Sequence, residues 1–456
     1  MRTIVPVVVV IFLEYYFISA AHANDDKTST SEPPWLDFER VYSPYPQNKR
    51  PLVCNQNQSM TAESCLILPM AISEEDLYND SVDLLILSLL IYEIVEIKQL
   101  MQTHGGVIDG SLLLDLDKKS PSSFVDLNAM IVQNLGLLYR ATGNNSELKE
   151  SLDAVGEYFQ NKNNKRNVIE NRMLYKIADD ASATKASYVH AIAINHDRKR
   201  VEVIFRGTSR PGEWKTNLNV RRRTIDNPIE LMKESLPHIH LHSGFASAIV
   251  GDPENTTPTY EIILKFVKDI IPDGYQLYVT GHSLGGATAT IFAFFAATDD
   301  DITNSGPVQL YSFASPRVGK RSFRQAFQFL EERGKLRHAR IHNMHDKVTH
   351  MPWIPWYFPR SQFKHVGMQM RFDETTPPDI DYPVAAGWLQ KLPASIWEHI
   401  WTTRNLLKYH DCLEMRRRME IAKPAMTSTS LEQEYRQVWG VEVIEGTGSD
   451  IGNDEL

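Results

Sequence analysis

Gly281-His282-Ser283-Leu284-Gly285 sets a serine between two glycines, directly after the apolar run Gln276-Leu277-Tyr278-Val279-Thr280. The small-residue stretch Gly286 to Phe292 follows. A strand that ends on Gly-x-Ser-x-Gly and opens into a helix turns too tightly for side chains at the glycines, which pushes the serine oxygen above the sheet. A serine hydroxyl is a poor nucleophile at neutral pH. A histidine must take its proton, and a carboxylate must hold that histidine in one tautomer. In this strand–turn–helix setting the chain order is serine, acid, histidine. Asp346 fits the acid: it follows a strand ending near Ile341 and precedes Val348-Thr349-His350-Met351-Pro352. His410, in Leu407-Lys408-Tyr409-His410-Asp411, fits the base. Two other histidines read as packing: His365 within the apparent strand Phe363 to Gly367, and His399 between Trp397 and Trp401.

The negative oxygen of a tetrahedral intermediate needs donors. The backbone N–H of Leu284, the residue after the nucleophile, is one. The second is expected from a loop after an early strand, and Phe205-Arg206-Gly207-Thr208-Ser209 offers Thr208. His282 reads as packing under the turn, and Arg206 as loop architecture.

These residues need a scaffold. Ser187 to Ile194 and Val201 to Phe205 are β-rich runs joined by the polar stretch Asn195 to Arg200, as in a hairpin. Further strands are expected at Gln276–Thr280, Val308–Phe313, Ala339–Ile341 and Phe363–Phe372, with helical stretches between several of them, so an α/β sheet is predicted. Upstream, apolar residues recur at helical spacing through Leu84-Ile91-Ile94-Ile97 and Phe124-Leu127-Ile131-Leu135-Leu138. The expected organisation is a signal peptide over 1–23, a proline-rich polar lead-in over 24–75 and a helical region over 76–180. The catalytic α/β domain follows over 181–420, with an acidic tail over 421–456.

The first segment carries Arg2, the apolar core Val5 to Phe12 and the small-x-small site Ala21-His22-Ala23, which reads as a secretory signal peptide. No later segment reaches the ~20 apolar residues of a membrane span; Leu84 to Tyr92 meets Glu93 and Glu96 at once. The formal charge of -9 over 456 residues argues against a nucleic-acid partner. It is also concentrated, since Glu442, Glu445, Asp450, Asp454 and Glu455 crowd the end of the chain. Cys54 and Cys65 are near enough in sequence to close a small disulfide loop, leaving Cys412 free, although spacing does not fix pairing. Asn57, Asn79, Asn144 and Asn255 head glycosylation sequons. The terminal Asn453-Asp454-Glu455-Leu456 resembles an endoplasmic-reticulum retrieval signal with an altered first residue. That leaves two destinations open: retention in the lumen through a retrieval receptor, or plain secretion.

Taken together, Phe205-Arg206-Gly207-Thr208, His242-Ser243-Gly244-Phe245, Gly281 to Gly286, Phe313-Ala314-Ser315-Pro316-Arg317-Val318-Gly319 and Asp346 with Pro352 resemble the class 3, fungal-lipase-like branch of the α/β-hydrolases over roughly residues 185 to 415. The resemblance implies an α/β-hydrolase fold with a mostly parallel central sheet, here preceded by a helical N-terminal region. It also implies carboxylester hydrolysis of acylglycerols at a lipid–water interface, with no metal or organic cofactor. A mobile lid is implied between Ser209 and Ile239, including Trp214, Leu218 and Arg221-Arg222-Arg223; Asn217 departs from the acidic residue common there. The aromatic run Met351 to Phe358, with Trp353 and Trp356, reads as acyl-pocket lining, as a lipid-docking surface, or as packing against the N-terminal helices. Phospholipase A1 or galactolipase activity would use the same machinery. A non-catalytic lipid carrier is the alternative of another class.

Overall fold

The structure, a computed structural model, describes residues 76–104, 122, 124–141, 146–160, 171–178, 189–207, 221–251, 257–352, 363–374, 378–382 and 408–439. Its strands are β1 (Val125–Asp126), β2 (Arg172–Ala178), β3 (His190–Asn195), β4 (Arg200–Phe205), β5 (Arg222–Asp226), β6 (His238–His242), β7 (Gln276–His282), β8 (Val308–Phe313), β9 (Leu336–Asn343), β10 (Met368–Phe372) and β11 (Asp379–Asp381). Its helices of four or more residues are α1 (Leu77–His104), α2 (Leu127–Ala141), α3 (Ser146–Gln160), α4 (Ser243–Ile249), α5 (Thr259–Ile270), α6 (Leu284–Ala296), α7 (Asp300–Thr303), α8 (Arg321–Glu332), α9 (Cys412–Met426) and α10 (Leu431–Trp439).

β5 and β6 form a separate antiparallel ribbon, and the other strands make one sheet in the order β1-β2-β3-β4-β7-β8-β9-β10-β11. Neighbours from β4 through β10 run parallel, while β1 to β4 and β10 to β11 pair antiparallel. Every residue of β7, β8 and β9 is buried, as strands covered on both faces must be. Alternation along β7 explains the two layers. Leu277 and Val279 enter a core with α4, α5, α6 and α8, whereas Tyr278 enters one with α1, α2, α9 and α10. The mostly parallel α/β sheet predicted from the sequence is therefore present. The strand expected over Phe363–Phe372 begins only at Met368, because Gly367 adopts φ +81 and Lys364 makes only an isolated bridge to Gly319.

The span 76–180, read as helical, contains α1 to α3 but also β1 and β2, and β2 joins the sheet beside β3. Apart from partly exposed Asn79, α1 is buried on all sides from Leu77 to Ile91, so it is a core helix rather than an appendage. Among the described residues no helix is long and apolar enough to cross a membrane. A buried ionic group docks α1: Arg200 pairs with Asp80 (2.8 Å), Asp83 and Glu202 (2.7 Å), and Arg172 pairs with Asp83 (2.7 Å) and Glu202 (2.9 Å). Asn79 donates its side-chain amide to Asp76 in the first turn of this helix.

The stretch after residue 420 is likewise partly built into the fold. α10 docks through buried Arg337, whose Nε donates to Glu432 at 2.6 Å, and through Tyr435, which meets Glu331 and the backbone of His338. Burial pushes the Glu331 carboxyl up to about 8, against the hydrogen bonds from Tyr435 and Tyr382 and the attraction of Arg337. Tyr435 Oη accepts from His338 N–H at 3.0 Å and donates to Glu331 Oε1 at 2.5 Å, and Tyr382 Oη donates to Oε2 at 3.0 Å, yet burial outweighs these bonds and favours the protonated carboxyl. The folded protein then keeps this proton well above the pH at which the unfolded chain loses it near 4.5, so stability falls as pH rises from there to about 8. Glu331→Gln should melt close to wild type at pH 4.5 and roughly 5 °C above it at pH 8; melting curves that stay parallel across this range would sink the idea.

Candidate active site

Ser283 stands at the joint between β7 and α6 with φ 59 and ψ -124, a conformation that a side chain rarely adopts. Its N–H donates to Phe313 O on β8 at 2.8 Å, which fixes the joint to the sheet. The flanking glycines are set by contact. A Cβ on Gly281 would lie 2.4 Å from the Gly285 carbonyl, and one on Gly285 would lie 2.2 Å from Phe205 O. Leu284 opens α6, so its N–H is one of the first-turn donors that the helix itself cannot use.

Asp346 is fully buried in the turn after β9. Its Oδ1 accepts from Val348 N–H at 2.9 Å, and its Oδ2 lies 3.0 Å from His410 Nδ1. His410 ends a single 3-10 turn, Lys408–His410, immediately before Asp411, whose side chain caps α9 by accepting from Leu413 N–H at 2.6 Å. The other edge of the imidazole meets Ser283, with Nε2 2.9 Å from Oγ. Three side chains taken from the sequence as serine, acid and base thus converge in one hydrogen-bonded line.

The backbone around His410 is held as well. His342 and His350, on the strand and turn that carry Asp346, stay neutral: burial first, then the charge of Arg340 or Arg317, lowers both, His350 to about 4. Asn343 Nδ2 donates to Tyr409 O at 2.9 Å, and His282 Nε2 lies 2.8 Å from His410 O. Burial first, and then the neighbouring His410, lowers the His282 imidazole to about 3, partly offset by its bond to the His410 carbonyl, so it is neutral in ordinary buffers. His365 is partly buried beside Arg340, with Arg340 Nη2 3.2 Å from its Nε2, and does not enter the line. None of Asn343, Arg340 or Tyr92, whose hydroxyl lies 3.5 Å from His282 Nδ1, was singled out by sequence reasoning. The polar positions His338, Arg340 and His342, alternating along a strand with covered faces, were the available signal.

The loop after β4 touches the nucleophile. A Cβ on Gly207 would lie 2.6 Å from His282 O and 3.3 Å from Ser283 Cβ. The next residue, Thr208, lies outside the described residues, as do Trp214, Leu218, Trp353, Trp356, His399, the signal segment, Cys54, Cys65, Asn57, Asn144, Asn255 and the terminal tetrapeptide. Cys412 is a buried free thiol at the start of α9. Among the described residues no group of three or more His, Cys, Asp or Glu side chains is placed to hold a metal ion.

A mostly parallel sheet with a serine on a strained strand-to-helix turn, an acid after a later strand and a histidine further on is an α/β-hydrolase arrangement. Residues 202–356 match the family model described as Lipase (class 3), so this segment is similar to the class 3 lipases. It is 27% identical over 240 residues to phospholipase A1 EG1, chloroplastic/mitochondrial, of Oryza sativa subsp. indica, covering 44% of this chain and 52% of that protein. Phospholipase A1-II 1 of the same organism is 32% identical over 168 residues (34% of this chain, 40% of that protein). Secreted mono- and diacylglycerol lipase 1 of Fusarium solani is 31% identical over 140 residues (31% and 37%). The chain spans about half the length, or less, of the curated relatives it matches.

Proposed function

We propose that the chain is a serine carboxylester hydrolase that cleaves acylglycerol esters through an acyl-enzyme on Ser283. The observation that carries this reading is the His410 imidazole bridging Ser283 Oγ at 2.9 Å and Asp346 Oδ2 at 3.0 Å. Ser283 Oγ attacks the ester carbonyl carbon while its proton passes to His410 Nε2. Leu284 N–H, together with Thr208, meets the resulting oxyanion. The intermediate collapses, and the departing alcohol takes the proton from His410. Water then loses a proton to the same imidazole, attacks the acyl carbon and releases the fatty acid, and Ser283 recovers its proton. In this reading Trp214 and Leu218 belong to a flap that opens at a lipid surface, and Trp353 and Trp356 line the acyl path.

Phospholipase A1 activity is the second reading, favoured by the names of the two rice relatives. Head group separates the two. On triglyceride, diglyceride, phospholipid and galactolipid of matched chain length, the first reading expects fastest release from neutral glycerides, and the second expects sn-1 release from the phospholipid. A wild-type protein that releases no fatty acid from any of the four and takes no fluorophosphonate label would instead favour the lipid-carrier alternative. The signal segment and the terminal tetrapeptide support a secretory route for the protein, ending in the lumen or outside the cell.

A further inference from the structure

Among the described residues, His410 closes one 3-10 turn and belongs to neither a strand ladder nor the interior of a helix. Its place depends on side chains reaching across from the sheet. Asn343, the last residue of β9, donates to Tyr409 O at 2.9 Å. His282, the last residue of β7 and next in chain to Ser283, lies with Nε2 2.8 Å from His410 O. A carbonyl can only accept, so the His282 proton sits on Nε2. A neutral ring then has a lone pair on Nδ1, and that atom faces the Tyr92 hydroxyl of α1 at 3.5 Å. The same hydroxyl abuts the loop after β4, where a Cβ on Gly207 would fall 2.1 Å from it. His282 therefore has one edge on the backbone of the base and the other on a helix outside the segment matched by the family model.

We infer that His282 is a positioning residue: its Nε2–H holds the His410 carbonyl so that the His410 imidazole stays in line between Asp346 and Ser283, and Tyr92 favours the tautomer that does this. The inference rests on the proposed triad, yet it can fail without it. It excludes a role for His282 as an alternative base, because the nitrogen that carries its proton is committed to the carbonyl and the other faces Tyr92. It also gives the second position of the Gly-x-Ser-x-Gly motif a task, since nucleophile and base are then tied to one strand end by consecutive residues. A displacement of about 1 Å at a reacting group costs about 10²-fold in rate.

His282→Gln and His282→Asn separate reach from polarity. The glutamine amide N–H extends about as far as imidazole Nε2, whereas the asparagine amide stops near Nδ1 and cannot meet the carbonyl. The expectation is kcat within about fivefold of wild type for Gln and about 10–10²-fold lower for Asn, with KM within about twofold for both. Asn343→Leu, which removes the donor to the adjacent carbonyl, should give the same split. Equal kcat for folded Gln and Asn variants overturns the inference. A measurement on unaltered protein stands beside these: ¹⁵N imidazole shifts at pH 7 should report His282 as the neutral Nε2–H tautomer, and a protonated Nδ1 overturns it whatever the variants do. Fluorophosphonate labelling distinguishes the failures. Wild type that takes no label at Ser283 refutes the triad, whereas label taken at wild-type rate by His282→Asn refutes only the positioning role.

Discussion

Asp346→Asn is expected to lower kcat by about 10⁴-fold while KM and melting temperature change little. The direction follows from the two bonds of the carboxylate. Val348 N–H is a donor and sits 2.9 Å from Oδ1, so an asparagine there must turn its oxygen toward Val348. Its amide nitrogen then faces His410 Nδ1, where the carboxylate accepted at 3.0 Å. Two N–H groups cannot share one bond. The imidazole responds by moving its proton to Nε2, which points that proton at Ser283 Oγ and removes the lone pair that should take the serine proton. The fold has no reason to fail, because the substituted side chain keeps its volume and its bond to Val348. Ser283→Ala provides the control for what remains: it should lose fluorophosphonate labelling outright, and any residual fatty-acid release then measures the contribution of binding and oxyanion donors alone. Asp346→Asn with turnover within tenfold of wild type would remove Asp346 from the mechanism.

The line of Ser283, Asp346 and His410 was legible because one rule of chain order and three local signals sufficed: a strand before Ser283, a strand before Asp346, and a histidine late in the chain. The family model ends at residue 356, so His410 had to come from that order. Its neighbours were not legible. Tyr92 and Asn343 acquire meaning only through contacts with residues dozens to hundreds of positions away, and no local period marks them; Arg340 shared only the polar alternation of His338 and His342. β2 was missed for a related reason. Arg172 and Lys176 spoil the apolar alternation of a strand, and a register shift between Leu174 and Lys176 breaks it again; only the buried carboxylates of Asp83 and Glu202 explain Arg172. The helix at Leu431–Trp439 lies inside the segment read as an acidic tail, whose helix signal was not picked out, and its Glu432 pairs with buried Arg337.

The same buried charges make the second large prediction. Asp80, Asp83 and Glu202 meet Arg172, Arg198 and Arg200, three negative groups against three positive, with Asp83 and Glu202 fully buried. Burial would push the Asp83 carboxyl up, but Arg172, Arg198 and Arg200 outweigh it and, with the Tyr158 hydroxyl, hold it well below the usual carboxylate range. Removing one partner leaves a buried charge without compensation, which costs about 3–5 kcal/mol. Arg200→Ala should therefore lower unfolding free energy by about that amount at pH 7, read from urea curves. The pH dependence has a fixed sign. A carboxyl whose folded pKa is depressed contributes stability above its unfolded value, near 3.9, and loses it as pH falls from there toward its folded value. The gap between wild type and Arg200→Ala should accordingly be widest at neutral pH and narrow below about pH 4. Turnover should suffer too, because α1 carries Asp80, Asp83 and Tyr92, and its Ser88 hydroxyl meets Thr280 on β7 at 2.9 Å. A variant as stable as wild type at pH 7 would mean that apolar packing alone seats α1 against the sheet and that these six charges merely share its space.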